Sequence, residues 1–387
     1  MEIKIKELGK IITGNTPSKT VAEFWNSEDI CFVKPDIISE KGVNEILGSK
    51  EYISEKARKK ARIVSENSIF ITCIGSIGKI GIASEGEYAF NQQINAIVPN
   101  EKVNPRYLAY ALFFNRPRLI DIANAPVVPI INKNQFGDFI INIDSDVNRQ
   151  IEIAGVLDKL VNIIELREKE LSVLDDLIKA RFIELFNGKK YNYVKVSDVC
   201  DFITKGTTPK SDEIFEEYEA GRIPYLKVYN LSLTGDLFFD DAPQYINAST
   251  HEEKLARSKV YPNDVLMNIV GPPLGKFAFV TNEFNEWNIN QAIAIFRARE
   301  KVIPRFLMAA LMQPDVLQPF LQQAVGIRQL NLSLEQCRNL EIPLPPLELQ
   351  QQFSVFVAEV DKSKVAVQKA LDETQLLFDS LMQQYFG

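Results

Sequence analysis

The stretch "GSIGKIGIAS", Gly75 to Ser84, decides the fold because a second version, "GPPLGKFAFV", follows at Gly271 to Val280. The two versions share a glycine–lysine pair and an alternating apolar run after it. The second replaces Ser76-Ile77 with a proline pair and a leucine, and proline has no backbone N–H with which to hold a phosphate. The pattern therefore predicts a hairpin turn that leads into a strand. A contact of the lysine with a ligand is the second interpretation.

Four further stretches return in the same order, about 200 residues later. They are "LGKIITGNTP" (8–17) and "VCDFITKGTTP" (199–209), "ICFVKPDI" (30–37) and "IPYLKVYNL" (223–231), "NQQINAIVP" (91–99) and "NQAIAIFRA" (290–298), and "NPRYLAYAL" (104–112) and "IPRFLMAAL" (303–311). Each copy combines short strand-like runs with a helix that begins at a proline. Five matches in register indicate an internal duplication of an α+β unit.

Two long amphipathic helices are expected, one after each copy. Apolar residues recur there at sevenfold spacing, interrupted by Glu168, Asp175, Lys364 and Thr374. Such stripes are typical of helices that pack on each other. The residues expected in this packing are Leu157, Ile164, Leu171, Ile178, Leu185, Val357, Val360, Val367, Leu371, Phe378, Leu381 and Tyr385.

The pattern divides the chain into four parts. We expect two similar domains at 1–145 and 189–345, and two helical regions at 146–188 and 346–387. The fold class is α+β, with two similar domains joined by two long helices and an internal repeat. At about 1.5 Å per residue, a helix of some 40 residues is a rod of roughly 60 Å. Such a rod could hold two domains at a set separation.

Composition argues against an enzyme. The 387 residues contain a single histidine, His251, which the polar stretch "NASTHEEKLARSK" places at the surface. Histidine is the commonest general base and metal ligand, so we expect no catalytic residue, no metal and no cofactor. Asp36 and Glu40 form the only candidate hydrolase site, and they lack the nuclease spacing to Lys41.

The chain shows no sign of secretion or of membrane insertion. The four cysteines stand far apart, which favours a reducing compartment, and no apolar run approaches the roughly 18 residues of a membrane span. We expect a cytoplasmic protein.

The duplicated runs, together with "IPLPPLELQQQF" at 342–353, resemble the specificity subunit of type I restriction–modification enzymes. The resemblance covers essentially the whole chain. It departs from the family pattern at 144–146, where "DSD" replaces a proline pair. It implies two target-recognition domains and an antiparallel coiled coil. It also implies double-stranded DNA, two methyltransferase subunits and restriction/translocase subunits as partners, and no catalysis by the chain itself.

Candidate DNA contacts follow from the types of side chain that read base edges and hold phosphates. Matched lysines and amides, and residues that differ between the copies, give Lys34, Lys79, Asn91, Gln92, Lys133, Lys227, Tyr229, Asn230, Lys276, Asn290, Gln291 and Arg328. The shared amides could instead cap the backbone. A basic cluster offers phosphate contacts through Arg58, Lys59, Lys60 and Arg62.

A second interpretation is a non-catalytic scaffold whose paired domains bind peptides. The net charge of −7 favours it slightly, because phosphate-driven affinity needs positive charge.

Overall fold

A computed structural model describes residues 1–123, 128–186, 191–326 and 330–387. The chain forms two compact units. Unit 1 consists of Met1–Glu168 and Lys369–Gly387, and unit 2 of Lys169–Gln368. Each unit therefore contains one sequence copy together with part of both long helices. The predicted α+β fold with an internal repeat is confirmed.

Unit 1 contains short strands, three short helices and the first part of a long helix. Its strands are β1 (Glu2–Lys4), β2 (Gly9–Thr13), β3 (Ile30–Val33), β4 (Val43–Ile46), β5 (Tyr52–Ile53), β6 (Ile63–Ser65), β7 (Ile69–Thr72), β8 (Ile80–Ala83), β9 (Glu87–Phe90), β10 (Ile94–Pro99) and β11 (Ile140–Asn142). Its helices are α1 (Pro105–Phe114), α2 (Arg116–Asp121) and α3 (Lys133–Asp138), followed by α4 (Val147–Phe186), which continues into unit 2.

Unit 2 repeats this succession. Its strands are β12 (Tyr193–Lys195), β13 (Cys200–Lys205), β14 (Ile214–Phe215), β15 (Arg222–Leu226), β16 (Tyr245–Asn247), β17 (Lys259–Val260), β18 (Val265–Asn268), β19 (Phe277–Phe279), β20 (Trp287–Ile289), β21 (Ile293–Ala298) and β22 (Glu341–Pro343). Its helices are α5 (Val196–Val199), α6 (Pro304–Leu311), α7 (Pro314–Leu321) and α8 (Leu334–Asn339), followed by α9 (Leu347–Phe386), which continues into unit 1.

The sheets of the two units correspond except for β4 in unit 1 and β14 in unit 2, which have no counterpart in the other unit. In unit 1 they run β2-β10-β7-β8-β4, β5-β3-β9-β6 and β1-β11. In unit 2 they run β13-β21-β18-β19, β14-β16-β15-β20-β17 and β12-β22. The pairs β3–β9 and β15–β20 are parallel, at the same place in each unit. The duplication seen in the sequence is thus a duplication of topology.

The glycine–lysine stretches form hairpin turns, as predicted. They connect the antiparallel pairs β7–β8 and β18–β19. Gly78 and Gly275 have φ angles of 76° and 79°, which side chains with a Cβ rarely adopt. The glycines therefore serve the turn.

The hydrophobic core of each unit includes residues of both long helices. In unit 1, Leu157 of α4 and Phe378 and Phe386 of α9 are buried with Tyr107 of α1. Because α4 contributes its first part and α9 its last part, the two helices run antiparallel. In unit 2, Phe182 of α4 lies 5.5 Å, centroid to centroid, from Phe353 of α9.

The residues expected in the helix packing lie on the inner faces of both helices. Leu157, Leu185, Val357, Val360 and Phe378 are buried. The partly buried members are Ile164, Leu171, Ile178, Val367, Leu371, Leu381 and Tyr385.

Two of the residues that interrupt the apolar stripes pair with each other. The ammonium of Lys364 in α9 lies 2.7 Å from the carboxylate of Asp175 in α4 and 2.8 Å from that of Asp236, in the loop after β15. Burial lowers the pKa of Lys364, but the two aspartates outweigh it and hold that pKa above its usual value. A polar contact at a core position fixes the register of two helices, because any slip leaves the charges unpaired.

A buried glutamine fixes the start of each long helix. The side-chain oxygen of Gln150 accepts from the N–H of Asn104 at 2.7 Å, and its amide donates to the carbonyls of Lys102 and Asp144. Gln350 makes the same three bonds, with Ile303, Lys301 and Pro345. Both glutamines are fully buried. The "DSD" departure at 144–146 therefore leaves the entry of α4 unchanged, and Asp146 caps the helix by accepting from the N–H of Asn148.

Replacing Gln350 by alanine should lower the free energy of unfolding by about 3 kcal/mol, because it leaves the N–H of Ile303 and the carbonyls of Lys301 and Pro345 without this partner. The adjacent Gln351 is exposed and is the matched control. Urea unfolding followed by circular dichroism measures both variants. Equal stability of Gln350→Ala and Gln351→Ala would contradict this role.

Candidate functional site

In unit 1, strands β2, β3 and β9 end beside one another. The N–H of Asn91, the first residue after β9, donates to the carbonyl of Val33 at 3.1 Å, and the N–H of Asn15 donates to Phe90 at 2.9 Å. The residues that follow the three strands therefore lie together. We call this group the first corner: residues 14–16, Lys34, and residues 91–92.

Unit 2 has the same arrangement at the ends of β13, β15 and β20. The N–H of Asn290 donates to the carbonyl of Leu226 at 3.0 Å, as Asn91 does to Val33. The second corner consists of residues 206–208, Lys227, and residues 290–291.

A glycine makes each corner possible. A Cβ atom at Gly14 would lie 2.1 Å from the carbonyl oxygen of Asn91, and one at Gly206 would lie 2.2 Å from that of Asn290. Only glycine lets the backbone approach so closely. This explains why the sequence repeats a glycine in "ITGNTP" and "ITKGTTP".

The basic cluster is attached to the first corner. The side chain of Asn15 donates to the carbonyl of Lys60 at 2.6 Å and accepts from the N–H of Arg62 at 2.8 Å. The guanidinium of Arg62 donates to the carbonyl of Thr13. In the second corner, Arg257 donates to the hydroxyl of Thr207 at 3.1 Å. Each corner thus has a basic side chain at its edge.

The four residues of the basic cluster differ in availability. Glu87 binds the guanidinium of Arg58 through two bonds of 2.6 and 2.9 Å, and Glu55 binds it as well. These carboxylates raise the pKa of Arg58. In the described part of the chain, no carboxylate pairs with Lys59, Lys60 or Arg62. An anion at this surface would therefore meet the latter three first.

The structure brings several predicted residues of unit 1 together. Gln92 is exposed in the first corner and accepts from the hydroxyl of Thr16 at 2.8 Å. Lys34 pairs with Glu51, and Lys79 donates to the carbonyl of Pro35, beside Lys34, at 3.5 Å. Lys133 is exposed at the start of α3.

Asn91 hydrogen-bonds within its own turn, which fits the second interpretation of the shared amides, that they cap the backbone. The residue is buried, and its amide bonds Gln93 in both directions. Glu40, proposed as a hydrolase carboxylate, forms ion pairs with Lys79 and Arg116 instead.

In unit 2, Gln291 and Tyr229 are exposed, while Lys227, Lys276 and Asn290 are half-buried. Asn230 does not present its amide to the surface. The residue is buried, accepts from the N–H of Lys227 and donates to the carbonyl of Phe238, because it closes the turn after β15. Arg328 lies outside the described residues.

His251 is buried, so its predicted surface position is wrong. Its Nδ1 accepts from the amide of Asn288, which also donates to Leu255, and its Nε2 donates to Glu286; both ring contacts are 3.0 Å. Burial lowers the pKa of His251, and Lys259 lowers it further.

Glu252 lies in the same cluster as His251 and Glu286, in a spacing that could hold a metal ion. The ammonium of Lys259, 2.6 Å from Glu252 and 3.9 Å from Glu286, already balances these carboxylates. The sequence did not reveal this cluster because Glu286 and Asn288 lie 35 and 37 residues from His251 in the chain.

Among the described residues, no helix is apolar over a length that could cross a membrane.

Comparisons with known proteins agree on one family. The family described as "Type I restriction modification DNA specificity domain" matches residues 1–175 and again 188–374. The MjaIX specificity subunit of a type I restriction enzyme from Methanocaldococcus jannaschii is 24% identical over 98% of this chain and 90% of its own. The EcoR124I/EcoR124II specificity subunit of Escherichia coli is 27% identical over 44% of this chain and 46% of its own.

Solved structures share the fold. The crystal structure of a type I restriction–modification S subunit from M. genitalium aligns with a TM-score of 0.63 at 15% identity, over all of this chain and 96% of the other. A chain from a study of complex assembly in the type I system aligns with a TM-score of 0.55 at 17% identity, over the same shares.

The buried state of His251 predicts a pH dependence of stability. Because its pKa is lowered in the folded chain, the unfolded chain takes up a proton first as the pH falls below about 6.5. Stability should therefore decrease from pH 7.5 to pH 5.5, by at most about 1.4 kcal/mol per pH unit. Thermal unfolding of the wild type and of His251→Gln measures this. An equal pH dependence in both would contradict it, since the chain has no other histidine.

Proposed function

Because the chain belongs to the family of type I restriction–modification DNA specificity subunits, we propose that it reads a bipartite, asymmetric sequence in double-stranded DNA, one half per unit. In this family, catalysis resides in other subunits, so the chain is not itself an enzyme. The observation that carries the proposal is the pair of corners. They have the same backbone geometry and the same side chains except at Asn15 and Thr207, but the basic segments bonded to these two residues differ, so two similar readers could meet different half-sites.

The side chains at the corners suit contact with a duplex. Exposed Gln92 and Gln291 can each offer a donor and an acceptor to a base edge. Lys59, Lys60 and Arg62 lie beside the first corner and can hold phosphates. Base readout and backbone contact would then come from neighbouring segments of one surface.

The helices α4 and α9 would set the spacer between the half-sites. Each has 40 residues and contributes to the core of both units. The Asp175–Lys364 pair would hold them in one register, so that their length, and not a sliding contact, defines the spacer.

Partners would complete the assembly. We propose that two methyltransferase subunits and restriction/translocase subunits bind this chain in the cytoplasm. The net charge of −7 supports this indirectly, because phosphate contacts by the chain alone would be few and sensitive to salt. The four cysteines, all free and buried, fit a reducing compartment.

Co-expression with the methyltransferase subunit, followed by single-molecule mapping of methylated adenines, should show one bipartite motif. Deleting 166–172 together with 367–373 removes one heptad from each helix, at equal distances from the Asp175–Lys364 pair. This double deletion should shorten the spacer and leave both half-sites unchanged, because the corners are untouched.

Deleting 166–172 alone is the control. It shifts the two helices out of register and should abolish methylation. Altered half-sites with an unchanged spacer, or a motif without two parts, would contradict the proposal.

A further inference from the structure

Glu51 binds two lysines at the edge of the first corner. Its carboxylate pairs with Lys34, the residue that follows β3, and lies 3.3 Å from the ammonium of Lys19. Lys34 chiefly, with Lys19, holds the pKa of Glu51 below its usual value, so the carboxylate stays charged. Lys34, a predicted DNA contact in the first corner, is therefore already paired with a carboxylate of the same chain.

The position of Glu51 is fixed by its backbone. Its carbonyl accepts from the N–H of Phe32 in β3 at 3.0 Å, and its N–H donates to the hydroxyl of Ser49, which in turn donates to the carbonyl of Phe32. The pairing with Lys34 is thus a feature of the fold and not a chance contact of two long side chains.

The second lysine is also held in place. The ammonium of Lys19 lies over the ring of Trp25, 5.3 Å from its centroid, and the Trp25 indole donates to the carbonyl of Ser18. Lys19, Trp25, Lys50 and Glu51 line an open cleft of about 520 Å³. Lys50 is exposed and, within the described residues, has no carboxylate partner. Glu28 lines the cleft as well, so two lysines and two glutamates lie there beside the first corner.

Unit 2 has a glutamine at the counterpart of Glu51. The backbone carbonyl of Gln244 accepts from the N–H of Tyr225 at 2.7 Å, as that of Glu51 accepts from Phe32. Tyr225 lies two residues before Lys227, as Phe32 lies two residues before Lys34. Within the described part of unit 2, no carboxylate pairs with Lys227. The side-chain oxygen of Gln244 is buried without a partner. Lys34 of unit 1 is thus paired with a carboxylate, whereas its counterpart Lys227 in unit 2 is not.

We propose that Glu51 competes with DNA phosphate for Lys34 and Lys19. The two lysines then contact the phosphates of a duplex only when the duplex displaces the carboxylate of Glu51. This rests on the proposed function. A site restrained in this way binds DNA of arbitrary sequence weakly, because electrostatic attraction alone must first break two ion pairs. Base contacts at the correct half-site would supply the free energy needed to break these ion pairs. Glu51 is then a determinant of specificity that touches no base.

The test is the salt dependence of binding to a fluorescent duplex that lacks the target, measured with the chain in complex with its methyltransferase subunits. Each cation that newly meets a phosphate steepens the plot of log K against log salt by about 0.9. Glu51→Gln should steepen it by about one to two and bind this duplex more tightly. The preference for target over non-target DNA should fall.

Asp138→Asn is the matched control. Asp138 also bridges two lysines of unit 1, Lys4 at 3.1 Å and Lys6 at 2.7 Å, but these lie outside the corner. It should leave the slope close to that of the wild type.

An unchanged slope in Glu51→Gln would overturn the inference, and so would an equal steepening in Asp138→Asn. If the wild type shows no preference for its mapped target, the proposed function fails. The slopes still decide the role of Glu51 in that case, since they are measured on non-target DNA.

Discussion

The structure depends on the sharing of each hydrophobic core between a set of sheets and the two long helices. In unit 1, Leu157 and Phe378 are buried against α1, and in unit 2, Phe182 and Phe353 are buried against α6. A side chain of this size stabilises the fold by about 2 kcal/mol when it is buried. The helices are therefore parts of the domains and not linkers between them. A domain that reads DNA would be fixed to its helices by the same contacts that fold it.

The duplication has kept the two corners almost unchanged and has altered residues beside them. Gln150 and Gln350 make the same three bonds, and Gly14 and Gly206 allow the same close approach of two backbones. In contrast, Glu51 has become Gln244 at an equivalent backbone position. Backbone geometry is constrained because buried backbone N–H and carbonyl groups need hydrogen-bond partners. Exposed side chains are free of that constraint, and it is there that two units can come to read different sequences.

Much of the fold could be predicted from the sequence, because repeats, glycine turns and sevenfold spacing are local patterns. The functional surface could not, because its contacts join residues that are distant in the chain. In the sequence, Asp175 and Lys364 each interrupt a row of apolar residues, and only the structure shows that they form an ion pair with each other. His251 lies in a polar stretch and Asn230 in a loop, yet both are buried, because hydrogen bonds to Glu286 and to the carbonyl of Phe238 satisfy them. The residues that touch bases stay predictions, since exposure alone does not show what a side chain reads.

The sharing of cores is tested most directly by hydrogen exchange of the Leu157→Ala variant, followed by mass spectrometry. Leu157 is fully buried, and its truncation should cost about 2–5 kcal/mol. The account predicts faster exchange in β7, β10 and the first part of α4 together, with β18 and β21 unchanged. Faster exchange confined to α4, with β7 and β10 protected as in the wild type, would show that helix and domain fold separately and would contradict it.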